Sequence, residues 1–159
     1  MLTLVTRQGC HLCDEALAVL TPECLSLVPG FFSTDVEEST SSLRSLLGFC
    51  FAQPLPADEL FLMLGYNVSV PPCVRQGNLT RSVDNDDLLP RLRKPFLIVQ
   101  GALDAIVKPS VVDQIRAKVP HAQVEMIANV GHAPFWEDAT TFNQRVHAFV
   151  ETCSGVAAQ

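Results

Sequence analysis

No cluster of basic residues stands out beyond RLRK at Arg91 to Lys94, and 11 Lys and Arg are outnumbered by 17 Asp and Glu, for a net charge of −6. Nucleic-acid binding needs a concentrated basic face, so nucleic acid is excluded as a partner. No apolar run approaches the roughly 18 residues of a membrane span, and the opening MLTLVTRQGC lacks the apolar core of a signal peptide. No membrane contact is therefore expected, and a cytosolic chain is. The cysteines Cys10, Cys13, Cys24, Cys50, Cys73 and Cys153 include no second closely spaced Cys or His pair that would complete a zinc site. In a reducing compartment they are expected mostly as free thiols packed as small hydrophobes. DNDD at Asp84 to Asp87 has the acidity of a calcium loop without its glycine or distal glutamate, and reads instead as a cap for a short helix at Leu88. No metal or cofactor is expected, and no internal repeat or low-complexity tract is present.

What is present is a globular composition. The 159 residues are 48% hydrophobic and 18% charged, a length that buries roughly 70% of the unfolded surface around one core. LTLVT (Leu2 to Thr6) has the pattern of a strand, followed by a helix over Cys10 to Leu20. CLSLV (Cys24 to Val28) has the pattern of a second strand ending at Pro29-Gly30. From Val36 to Asn67 the apolar residues Leu43, Leu46, Leu47, Cys50 and Phe51, then Leu60, Leu62, Met63 and Leu64, recur at helical spacing. Val70-Pro71-Pro72 breaks that insertion, and a polar segment through DNDD leads to a short helix before Lys94.

After Pro95 the chain alternates. FLIVQG (Phe96 to Gly101) is a buried-strand run, and Ser110 to Asp113 gives an S-x-x-D helix start. Gln123 to Ala128 is a second strand, and a closing helix from about Asp138 sets Phe142, Val146, Phe149 and Val150 on one face. Strand, helix, strand, helix makes a parallel βαβ unit. The expected fold class is α/β, a three-layer parallel sheet with a helical insertion.

Ligands and catalytic groups gather at the carboxyl ends of such strands. Asp104 lies just beyond the first strand of the unit and His132 in the loop beyond the second. A carboxylate bonded to an imidazole fixes its tautomer and stabilises the imidazolium formed when it takes a proton. Either residue alone is as well explained by a turn cap or a loop histidine, whereas the pair at adjacent strand ends points to acid and base. Trp136, beside His132, is read either as lining a pocket or as half-buried packing, and His121 and His147 as surface residues.

GALDAIVKP followed by VGHAPFWED resembles the C-terminal half of an α/β-hydrolase-fold enzyme, with the acid in a G-x-x-D setting and the base in a G-H-x-P-x-x-E-D loop. The resemblance runs from about Cys24 to Val150. It implies an incomplete α/β-hydrolase-like core with a helical cap over about residues 34–92 and strand–helix core over about 94–152. It also implies hydrolysis of a small ester-like substrate by a Ser-His-Asp mechanism, with Asp104 as acid partner and His132 as base. In that family the nucleophile stands on a G-x-S-x-G elbow, and the sequence contains none: Gly9 lacks the second glycine, and Ser26 falls in the presumed strand. Nucleophile and oxyanion donors are therefore not carried over.

LTLVTRQGCHLCDEAL, by contrast, resembles the start of a glutaredoxin-like or thioredoxin-like domain over residues 1–23. That resemblance implies thiol–disulfide chemistry, with Cys10 activated at a helix N-terminus and Cys13 resolving the mixed disulfide. The two signatures meet near Thr21 to Cys24, as expected of a fusion, a truncated product or a frame-shifted reading. The partners implied are a small-molecule substrate and, for a non-catalytic fragment, further copies of itself through an exposed sheet edge.

Overall fold

Thr21 opens the first helix. In the computed structural model, which describes residues 21–80, 88–108 and 110–155, its side chain accepts the Cys24 N–H at 3.3 Å, and Pro22 fills the first turn of α1 (Pro22–Phe31). A proline loses nothing there, because the N–H it lacks has no partner in a first helical turn. This overturns the strand expected over Cys24–Val28. A five-residue apolar run fits strand or helix alike, and the Thr-Pro-Glu start in front of it selects helix, which then continues through Pro29.

Helix α2 (Val36–Cys50) begins at Asp35, whose carboxylate accepts the Glu38 N–H at 2.8 Å. It buries Ser39, Leu43 and Leu47, one face at a spacing of four. Helix α3 (Ala57–Val68) follows and buries none of its residues. Helix α4 (Pro72–Thr80) replaces part of the polar segment expected after Val70-Pro71-Pro72. Its low apolar content hides it from hydropathy, yet Pro72 again sits where a helix tolerates proline. A 3-10 turn, Leu89–Arg91, stands where the short helix before Lys94 was expected.

Strands β1 (Leu97–Gly101) and β2 (Gln123–Ile127) pair in parallel, from Leu97 opposite Gln123 to Gly101 opposite Ile127. They are the whole sheet among the described residues. Helix α5 (Ser110–Lys118) connects them. A single turn, α6 (Pro134–Glu137), precedes the closing helix α7 (Ala139–Ser154), which Asp138 caps through the Thr141 N–H and which packs on both strands. Phe142, Val146 and Phe149 are half-buried on its inner face, whereas Val150, expected with them, is exposed.

The helical half meets the strand unit first at the loop after β1. Cys24, Ile106 and Val107 form a buried cluster, with Leu46, Phe49, Cys50 and Val111 packed against it, and Thr21 Oγ1 donates to the Ala105 carbonyl at 3.2 Å. The loop after β1 is thereby wedged between α1, α2 and the sheet.

Candidate active site

That loop carries Asp104. The Asp104 Oδ1 accepts the backbone N–H groups of Ile106 and Val107, each at 2.8 Å, a local turn that short acidic side chains favour. Oδ2 is then directed at His132 Nδ1, 2.9 Å away. The Asp104 side chain is 5% exposed and that of His132 34%. Burial opposes ionisation of Asp104. The hydrogen bond from His132, the Val107 N–H, the charge of the imidazole and the Ile106 N–H outweigh it, and the carboxyl is held below its ordinary value. An ionised carboxylate can only accept, so the proton between the two sits on Nδ1 and the Nε2 lone pair is directed away.

Gln100 is a component the sequence reading did not single out. Its side chain is buried; Nε2 donates to the Val107 carbonyl at 2.8 Å and lies 3.5 Å from Asp104 Oδ2. The signal was present, because Gln100 is the lone polar residue in the apolar run FLIVQG, and a buried amide needs partners.

The two glycines of the motifs are set by close approach. A Cβ on Gly101 would collide with the carbonyl oxygens of Gly131 and Val130, and one on Gly131 would meet Ala52 N at 2.8 Å and Cys50 O at 3.0 Å. The ends of β1, the His132 loop and the end of α2 therefore touch backbone to backbone. Asn129, at the turn into that loop, has a φ of 62°, a left-handed conformation that asparagine tolerates better than most residues. An open cavity of about 330 Å³ beside the loop is lined by Phe51, Leu55, Glu59, Asn129, Trp136 and Glu137 among others. It flanks His132 without including it. Trp136 lines this cavity, and its Nε1 donates to Glu59 Oε2 at 2.9 Å.

An α/β hydrolase fold family model matches residues 74–139, from α4 through both strands to the start of α7. The esterase RhEst1 from Rhodococcus sp. ECU1013 superposes with a TM-score of 0.77 at 28% identity, covering 87% of this chain and 51% of that one. The chain has an α/β-hydrolase fold. A pimeloyl-(acyl-carrier protein) methyl ester esterase of Xanthomonas oryzae pv. oryzae is 35% identical over 111 residues, 69% of this chain and 39% of that protein. Lipase 1 of Psychrobacter immobilis is 38% identical over 60 residues, 36% of this chain and 19% of that protein. The chain thus spans about half the length of the solved hydrolase-fold structure and less of these curated relatives.

Within this hydrolase fold the described residues bring Asp104 and His132 together but hold no elbow serine. Ser26 lies exposed on α1, not in a strand, and donates to the Glu23 carbonyl at 2.6 Å. The Cys50 thiol is packed beside the Asp104 loop, and burial, then the negative charge of Cys24, Asp104 and Glu137, pushes its pKa up to about 12. A thiol held protonated is a poor nucleophile, so Cys50 does not replace the serine. Cys10 and Cys13 lie outside the described residues. His121 and His147 are exposed, the first against the Lys94 carbonyl and the second beside Glu151.

Proposed function

We propose that this chain carries the acid and base of an ester hydrolase of Ser-His-Asp type, acting on a small-molecule ester. The observation that carries the reading is the 2.9 Å contact of Asp104 Oδ2 with His132 Nδ1 at the carboxyl ends of two parallel strands. His132 Nε2 accepts the proton of an attacking hydroxyl, Asp104 stabilises the imidazolium, and the proton then passes to the leaving alkoxide. The relatives' esterase and lipase names support the reaction class, and the helical stretch over about residues 34–92 is read as the cap of such an enzyme. No G-x-S-x-G occurs in the 159 residues, so we assign acid and base and no nucleophile.

The test is hydrolysis of a p-nitrophenyl ester by the wild-type chain and by His132→Ala. A rate lost in the variant supports the reading; equal rates overturn it. The C-x-x-C spacing supports a second reading, thiol–disulfide exchange through Cys10 and Cys13, which reduction of a model disulfide surviving Cys10→Ser removes. We further propose a cytosolic setting, in which thiols stay reduced. We also propose self-association through the edge of the sheet, which a monomer in sedimentation at every concentration removes.

A further inference from the structure

We infer that Glu137 is a positioning residue for His132, clasping the loop that carries the base to the end of helix α2. Its Oε1 accepts the Gly131 N–H at 2.6 Å and its Oε2 the Ala52 N–H at 2.7 Å. One carboxylate therefore joins the residue immediately before His132 to a residue just past the last turn of α2. The His132 N–H donates to the Cys50 carbonyl at 2.9 Å, a third bond across the same seam.

Helix α6 makes this geometry. Trp136 and Glu137 both donate their N–H groups to the Ala133 carbonyl, and this single turn carries Glu137 back beneath its own loop. There is no slack in the seam, because a Cβ on Gly131 would lie 3.1 Å from Glu137 Oε1 as well as against the α2 end. Two N–H donors facing one side chain require two acceptor oxygens. A carboxylate supplies both with charge assistance, whereas an amide supplies one and sets its NH2 against the second N–H. Asp104 orients His132 from the ring side and Glu137 from the backbone side. Displacement of α2, the helix that bears on the flanking cavity through Phe51, is thereby transmitted to the base.

The inference rests on reading Asp104 and His132 as acid and base, and its test does not need turnover. In the folded full-length chain, the long-range 1H–15N spectrum of His132 reports tautomer and titration midpoint. Glu137→Gln is expected to lose the single Nδ1–H pattern and shift the midpoint. Asp138→Ala, which uncaps the adjacent α7 without touching the clasp, is expected to leave both unchanged. Where the ester is hydrolysed, Glu137→Gln lowers kcat at least tenfold with KM within twofold. If Glu137→Gln does not fold, Gly131→Ala, which forces the same seam open from the other side, must give the altered His132 spectrum. A wild-type spectrum in the folded clasp variant, or an equal change in Asp138→Ala, overturns the clasp. Absence of ester hydrolysis together with an altered spectrum in Glu137→Gln overturns the esterase reading and supports the clasp.

Discussion

The loops at the strand ends and the helices that precede them handle polar groups in opposite ways. Around Asp104 and His132 the buried acceptors and donors are matched: Asp104 has two backbone N–H partners and an imidazole, Gln100 has the Val107 carbonyl, and Glu137 has two N–H groups. In the helical half, Arg75 donates through Nη2 to Ser39 Oγ at 2.9 Å, while its Nε and Nη1 are buried without a partner. Helix α2 encloses Leu43 at 1% exposure, yet α3 buries nothing and leaves Phe61 80% exposed. The strand ends are organised by local turns, at Asp104 and at α6, whose carboxylates then reach partners far along the chain. The helices are organised by a single apolar face, and only where that face meets α1 and the Asp104 loop are they well packed.

The largest effect that sharpens this contrast is expected at Asp104. Asp104→Asn keeps an acceptor for the Ile106 and Val107 N–H groups but presents the wrong partner to Nδ1, and under the proposed esterase reading any ester hydrolysis should fall by about 10⁴, read from initial rates. The same variant flattens the acid limb of stability. The folded carboxyl lies below its ordinary value, which in the unfolded chain is about 3.9, so the unfolded state binds the proton more readily. The contribution of Asp104 is complete above that value and fades as pH falls through the lowered folded one. Urea midpoints taken from about pH 5 to pH 2 should therefore drop less steeply in Asp104→Asn than in wild type.

In the helical half, Leu43→Ala should cost about 2–5 kcal/mol by opening a cavity, and Phe61→Ser, on the exposed face of α3, should stay within about 0.5 kcal/mol. Both are read by denaturant unfolding, and a large loss at Phe61 would break the contrast between α2 and α3. Arg75→Met is expected to stabilise by about 1 kcal/mol, because removing two buried unmatched donors outweighs one bond to Ser39. A comparable loss would show that Arg75 is matched after all.

The same contrast explains what the sequence made legible. The βαβ order, both strands and the start of α7 follow from apolar runs and helical spacing, and they stand within a residue of where they were expected. Asp104 and His132 could be singled out because strand ends bring such residues together. Gln100 carried a signal as the lone polar residue of its strand, whereas Glu137 could not be ranked from pattern alone, since one of its partners is a backbone group 85 residues away. The run over Cys24–Val28 was ambiguous in period, and its Thr21-Pro22 start decided the outcome. Helix α4 was hidden because helical spacing cannot be read from a segment with few apolar residues.

On this geometry Asp104 holds His132 as the Nδ1–H tautomer with Nε2 directed away from the carboxylate. The most direct test is the long-range 1H–15N spectrum of the His132 ring near neutral pH in wild type and in Asp104→Asn. A single Nδ1–H tautomer in wild type that gives way to a mixture in Asp104→Asn is the result expected. The same tautomer mixture in both proteins would contradict it.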